Sequence, residues 1–271
     1  MLKIDGTAIA RKIIDALKKL PRPTKNLVAV LVGASAASLT FIRRKAAVAR
    51  ELGIGFELFQ FSVTDTEDAM VRRIRALSCD ERVGGIVLQL PLPERFCRDA
   101  LIAVIVPHKD PDNLTGRAGV HAPAVGAVKE IFKDSGFRIQ DARIIAVVGR
   151  GFLVGAPIIQ WLEYERHKIQ DSGFKIQDLQ IKVADIDTDN VKECVADADV
   201  VITGVGKAGC IDLRWLQDGV GIIDFGFPAD IDNSTFNTQH STVSFYTPTP
   251  GGTGPIVVAK LLENFYTLNC G

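Results

Sequence analysis

The chain has 271 residues, longer than one typical domain and enough for two modest ones. Hydrophobic residues make up 47% and charged residues 24%, a globular composition that excludes a disordered chain. Lys+Arg and Asp+Glu both total 32, so no net field draws it to nucleic acid or to an anionic membrane, and neither partner is expected.

Met1–Leu20 interleaves charged and apolar residues. It has neither the unbroken apolar core of a signal peptide nor the roughly 20 apolar residues of a membrane span. Ile9, Ile13, Ile14 and Leu17 instead share one helical face. Leu27–Val32 (LVAVLV), ended by Gly33, reads as a buried strand. Leu39–Leu52 is helical in composition and stops at Gly53, a C-cap. Gly55–Phe61 alternates as a strand, and Thr64–Glu67 (TDTE) is a capping-box pattern that predicts a helix from Thr64 through Leu77. Gly85–Leu90 is a strand again, stopped by Pro91 and Pro93.

A second series follows Pro123: helix at Ala124–Phe132, strand at Ile144–Val148, glycine turn at Gly149–Gly155, helix at Leu153–Tyr164. Strand Ile181–Ala184, helix Val191–Ala196 and strands Val200–Thr203 and Ile222–Phe225 complete it, and Pro255–Thr267 is a final helix. The alternation implies parallel sheets covered by helices on both faces. The expected fold is therefore α/β in two domains, with a Rossmann-type second domain and a C-terminal helix returning to the first. The expected division sets 1–122 with 252–271 against 123–251. A near-repeat, Asp134–Ile144 and Asp171–Ile181, is too short for a solenoid, and its second copy reads as a polar insertion.

The five cysteines are scattered without a C-x-x-C pair, which argues against a disulfide framework and fits a reducing, cytosolic setting. No histidine has a ligand-spaced neighbour, so no metal is expected.

Ile144–Gly155 puts G-x-G-x-x-x-G between a strand and a helix. Gly149 permits the tight turn, Gly151 lets backbone N–H groups approach a pyrophosphate, and the helix N-terminus adds partial positive charge. Asp185, at the end of the next strand, suits the ribose hydroxyls of NAD, whereas Arg150 suits the 2′-phosphate of NADP. Cofactor choice stays open between them.

In the first half, Phe41 and Lys45 share a helix face, and Gln89 ends a strand before Pro-Leu-Pro, where α/β sheets keep their ligands. Asp110 and Asp112 follow in KDPDN, and Tyr246–Pro255 (YTPTPGGTGP) is a rigid loop that allows close backbone approach to a flat ligand. Taken singly, these are equally a solvated lysine, a strand-end amide and a plain turn.

Taken together, Phe41–Lys45, LQLPLP (Leu88–Pro93), KDPDN (Lys109–Asn113), GRGFLVGAP (Gly149–Pro157) and PGGTGP (Pro250–Pro255) stand in the order found in one family. The chain resembles the bifunctional methylenetetrahydrofolate dehydrogenase/cyclohydrolases over essentially its whole length, including the opening IDGTAIA. The resemblance implies oxidation of 5,10-methylenetetrahydrofolate by NAD(P)⁺, then hydrolysis of the methenyl cation to 10-formyltetrahydrofolate. It implies a folate-binding first domain, a homodimer, and NADP as the default cofactor. Lys45 would be the acid/base group, helped by a lowered pKa beside a cation. Gln89 would hold its amine, and Asp112 would accept two N–H bonds from the pterin. Phe41, Pro250, Gly251 and Gly252 would line the folate. Gly149, Arg150, Gly151, Gly155, Asp185 and Phe227 would hold the cofactor.

The chain also departs from the pattern. The family tyrosine is Phe41, losing a hydroxyl hydrogen bond worth about 1 kcal/mol. The glycine after the second aspartate is Asn113, the glycine-turn serine is Gly151, and the His-Ser pair after the second Rossmann strand aligns with Asp185-Ile186. The lost serine with the gained Asp185 motivates NAD use, and Phe41 and Asn113 motivate an alternative reading: a folate- or nucleotide-binding protein with lost or partial turnover.

Overall fold

A computed structural model describes residues 1–33, 35–171, 179–185, 191–231 and 243–270. In chain order the elements are β1 (Leu2–Lys3), α1 (Gly6–Leu17), β2 (Asn26–Val32), α2 (Ala36–Glu51), β3 (Phe56–Phe61), α3 (Glu67–Cys79) and β4 (Val83–Leu88). Then come α4 (Arg98–Ile102), α5 (Pro123–Ser135), β5 (Ile144–Val148), α6 (Gly155–Asp171), β6 (Gln180–Ala184), α7 (Val191–Val195), β7 (Val200–Thr203), β8 (Gly221–Asp224), β9 (Phe245–Tyr246) and α8 (Thr253–Cys270).

The chain forms two compact units, Met1–Ile9 with Ala124–Val257 and Ala10–Pro123 with Val258–Gly271. The expected division differs at both ends of the chain. Met1–Ile9 belongs with the larger sheet because β1 pairs in parallel with β9, Leu2 opposite Phe245. The second boundary falls after Val257, within α8, rather than before Gly252.

The smaller sheet has the order β3-β2-β4, all parallel. Its central strand β2 is buried from Leu27 to Val32, as an unbroken apolar run with both faces covered requires. The second half of α8 packs on β4, where two glycines make room for it. A Cβ at Gly85 would fall 2.8 Å from the fully buried ring of Phe265. One at Gly84 would fall 2.4 Å from Asn269 Oδ1, and the Asn269 amide donates to the Gly84 carbonyl. The C-terminal helix, from Val258 on, thus returns to the unit of Ala10–Pro123.

The helix after β3 starts later than its capping-box pattern predicts. Thr66, not Thr64, is the N-cap, accepting from Ala69 N. The Thr64 hydroxyl bonds Ser62 instead, and the Glu67 carboxylate accepts from Cys97 N. Long-range partners have outcompeted the local box. The helix expected at Leu153 begins at Gly155, because residues 152–154 complete the glycine turn.

The larger sheet has the order β1-β9-β8-β7-β5-β6, again all parallel. From β5 the chain moves to β6 on one side and then to β7 on the other, so a topological switch point lies between β5 and β7. Open α/β sheets bind ligands at the carboxyl ends of such a pair. Of the near-repeat, Asp134–Ile144 spans the end of α5 and enters β5, while residues 172–178 of the second copy lie outside the described residues.

Candidate active site

Lys45 sits on α2 one turn after Phe41, and both are partly buried. Its ammonium donates to Gln89 Oε1 at 3.3 Å and stands 4.0 Å from Asp112 Oδ2. The orientation of the Gln89 amide is set by its other end: Nε2 donates to the Leu90 carbonyl at 2.7 Å, which leaves the oxygen to face the lysine. Gln89 directly follows β4, and its N–H continues the ladder to Val30. Three side chains separated by 44 and 23 residues therefore converge on one point. Burial raises the pKa of Asp112, Lys45 opposes that shift, and nearby Asp110 adds to it.

The loop that carries Asp112 is built by its neighbours. Asp110 is fully buried and accepts from Leu114 N at 3.0 Å and Thr115 N at 2.7 Å. Asn113 adopts φ +53°, the left-handed conformation for which a glycine is the usual choice, and its Oδ1 accepts from Ala118 N at 3.1 Å. The asparagine fits this backbone, so it gives no reason to expect a damaged site. Asn264 of α8 donates to the carbonyls of Pro111 and His121, both at 2.8 Å, and pins the same loop from the other side.

In the other unit, the turn after β5 has the stereochemistry of a dinucleotide cradle. Gly149 adopts φ +93°, and its N–H donates to Ala184 at the end of β6. A Cβ at Gly155 would fall 1.8 Å from the Gly149 carbonyl, so only glycine lets α6 start this close to the turn. Gly151 is different: a Cβ there meets nothing nearer than Gly204 O at 3.9 Å. Arg150 is exposed beside this turn, and Asp185 is partly buried just past β6. The opposite wall of the switch-point crevice is the turn after β7, with Val205 Cγ2 3.2 Å from where a Gly149 Cβ would lie. The turn, the crevice and the 17-residue α6 N-terminus together fit a pyrophosphate-bearing cofactor.

The Pro-Gly-Gly loop lies in that same unit. Pro250 is exposed after a cis peptide bond, and Gly251 adopts φ +97°. Gly252 is buried, and a Cβ on Gly6 would fall 1.7 Å from its carbonyl. The glycine of the opening IDGTAIA is thus required by the loop at the far end of the sequence. Phe227 is 63% exposed in the loop after β8.

Sequence reasoning missed two buried acids beneath these loops, Asp224 and Asp230. An isolated acid at the end of an apolar run looks like the start of a surface loop. The two local signals that could have found them are Thr203 and Gly226: Thr203 donates to Asp230, and Gly226 N to Asp224. Among the described residues no cluster of acids, cysteines and histidines could hold a metal ion.

Comparison with known proteins assigns both parts of the chain to one family. Residues 4–112 match the tetrahydrofolate dehydrogenase/cyclohydrolase catalytic domain, and residues 122–270 match the NAD(P)-binding domain of the same family. The bifunctional protein FolD of Sorangium cellulosum is 33% identical over 96% of this chain and 94% of its own. The crystal structure of the bifunctional FolD enzyme from Campylobacter jejuni superposes with a TM-score of 0.86 at 25% identity, covering 100% of this chain and 99% of that one. The Trypanosoma brucei enzyme, solved with NADP and an inhibitor, superposes at 0.84 with 26% identity, covering 99% of this chain and 97% of that one. With both domain models matched in order, the chain belongs to the tetrahydrofolate dehydrogenase/cyclohydrolase family.

Proposed function

We propose that this protein oxidises 5,10-methylenetetrahydrofolate to the methenyl cation and hydrolyses that cation to 10-formyltetrahydrofolate, with Lys45, Gln89 and Asp112 as the working side chains. The observation that carries the reading is their convergence, with Lys45 Nζ 3.3 Å from Gln89 Oε1 and 4.0 Å from Asp112 Oδ2.

NAD(P)⁺ supplies the hydride acceptor for the first step. The chain's part is to orient the two partners and to manage protons. Asp112 accepts two N–H bonds from the pterin ring, a charge-assisted pair that fixes the ring's rotation. Phe41 offers an aromatic face one turn from Lys45. The Gly251–Gly252 backbone, with no side chains to intervene, lies along the folate. In the second step a water adds to the methenyl carbon, Lys45 Nζ takes one of its protons and delivers it to the ring nitrogen as the carbon–nitrogen bond breaks, and the water's second proton goes to solvent as the formyl group forms. Gln89 holds the amine on line through its carbonyl oxygen.

NADP⁺ is the proposed cofactor, with Arg150, exposed beside the Gly149 turn, as the partner of its 2′-phosphate. A specific observation favours the second reading, NAD⁺: Asp185 stands at the end of β6, where a carboxylate accepts from both ribose hydroxyls and repels a phosphate. A homodimer in the cytoplasm belongs to the same reading, and sedimentation equilibrium measures the former. Among the described residues no helix is long and apolar enough to cross a membrane.

The test is absorbance-monitored turnover of 5,10-methylenetetrahydrofolate with NADP⁺ and NAD⁺ in parallel. Reduced cofactor formed only with substrate supports the reading, and the better cofactor chooses between Arg150 and Asp185. A folded protein that binds folate yet reduces neither cofactor contradicts it.

A further inference from the structure

The turns at the carboxyl ends of β7, β8 and β9 are held by two acids for which the proposed chemistry has no use. Asp230 is fully buried and accepts from four donors: Val205 N and Gly206 N at 2.7 Å, Lys207 N at 2.9 Å and the Thr203 hydroxyl at 2.7 Å. Three consecutive backbone N–H groups converging on one carboxylate leave that turn a single conformation. Asp224, 1% exposed, accepts from Gly226 N at 2.6 Å, Asp230 N at 2.9 Å and Ile231 N at 3.1 Å, closing the loop that carries Phe227.

The main chain of Asp224 is clamped in turn. Its N–H donates to the Thr247 hydroxyl at 2.7 Å, and its carbonyl accepts from the Thr253 hydroxyl at 3.0 Å. Thr247 and Thr253 bracket Pro250, Gly251 and Gly252. A continuous set of hydrogen bonds therefore runs from the wall of the switch-point crevice to the Pro-Gly-Gly loop, all within one compact unit.

This arrangement is electrostatically unfavourable. Burial pushes the Asp224 carboxyl up to about 7 and Asp230 adds to the shift, while the surrounding backbone N–H groups oppose it. An apolar pair of similar size would avoid the buried charge but would strand the four donors to Asp230 and the three to Asp224. The two carboxylates supply the shape of the turn after β7 and of the loop after β8, and the main chain of Asp224, fixed between them, holds the Pro-Gly-Gly loop.

We propose that Asp230 and Asp224 are positioning residues for the reaction. Asp230 shapes the Val205–Lys207 wall of the dinucleotide crevice, and Asp224, whose carboxylate fixes its own loop and whose main-chain carbonyl accepts from Thr253, holds the Pro-Gly-Gly loop for the folate. The inference rests on the reading that this crevice takes NADP⁺ and that loop takes folate.

Equilibrium titrations of the full chain with NADP⁺ and, separately, with tetrahydrofolate test it. Asp230→Asn turns one acceptor into a donor facing N–H groups, and is expected to weaken NADP⁺ about tenfold or more, with tetrahydrofolate affinity within about twofold. Thr253→Val is expected to give the reverse split, weakening tetrahydrofolate about fivefold with NADP⁺ within about twofold. A merely structural role lowers the melting temperature and leaves both affinities of the folded fraction alone. If Asp230→Asn does not fold, Thr203→Val replaces it, with an expected weakening of NADP⁺ of about threefold, and keeps both acids. Folded variants that bind both ligands within about twofold of the wild type, or that lose both affinities together, overturn the proposal. A wild-type protein that binds neither ligand overturns the underlying reading and the proposal with it.

Discussion

The Lys45 cluster and the switch-point turns place function in different parts of the chain. Around Lys45 the chemistry is in side-chain heads: an amide and a carboxylate brought to within 4.0 Å of an amine by the end of β4, the segment between α4 and α5, and α2. At the switch point the useful groups are backbone N–H groups and a helix N-terminus, and the side chains matter by being absent or by holding the backbone from beneath. The first region should fail sharply when a head group is removed and tolerate little else. The second should fail wherever a Cβ is added against backbone, and hardly at all where space remains.

The largest effect is expected at Lys45. Replacing it with methionine keeps the helix and much of the side-chain volume, and should slow hydrolysis by about 10²- to 10⁴-fold, read from the decay of the methenyl absorbance. The next largest belongs to the backbone region. Gly155→Ala drives a Cβ into the Gly149 carbonyl, 1.8 Å away, and should lower stability by about 2 kcal/mol or more, with NADP⁺ binding lost. Urea unfolding and a cofactor titration check both halves of that expectation.

A smaller effect separates the regions by pH. Asp224 holds its pKa near 7 when folded, above its value in the unfolded chain, so the native state binds the extra proton between about pH 4 and pH 7. Its contribution to stability is fully present below that window and is lost as the pH rises through about 7. Burial shifts Asp112 in the same direction. Asp80 and Asp212, both lowered to about 2 by arginine partners, have all but finished titrating, folded and unfolded, by about pH 5, where the comparison starts. The urea midpoint should fall from pH 5 to pH 7 more steeply in the wild type than in Asp224→Asn; equal slopes would remove Asp224 from the account. The smallest effect is Gly151→Ala, where the added Cβ has open space and should change stability by about 0.5 kcal/mol or less. A large loss there would erase the distinction drawn between Gly151 and Gly155.

The same contrast explains what was legible beforehand. Lys45, Gln89 and Asp112 could be read because each lies in a short ordered motif whose residue types are themselves the chemistry. The parallel sheets followed from apolar runs such as LVAVLV, whose burial is local knowledge. The true cap of α3 was not legible, because the Glu67 carboxylate bonds Cys97, 30 residues away. The two-residue β1 has no periodicity of its own and exists because β9 pairs with it. Asp224 and Asp230 escaped for the same reason: each bonds backbone groups, and backbone donors carry no residue signature. Gly6 has no room for a Cβ because the Gly252 carbonyl, from the other end of the chain, lies against it, which no local rule detects.

The central claim is that Lys45, held by Gln89 beside Asp112, manages the proton of the hydrolytic step and is dispensable for orientation of the hydride donor. The most direct measurement follows two absorbances, those of reduced cofactor and of methenyltetrahydrofolate, in the wild type and in Lys45→Met during one turnover of 5,10-methylenetetrahydrofolate. The mutant is expected still to form reduced cofactor and to retain its methenyl product, while the wild type clears it. Methenyl product cleared at the wild-type rate in the mutant would contradict the assignment of that proton to Lys45.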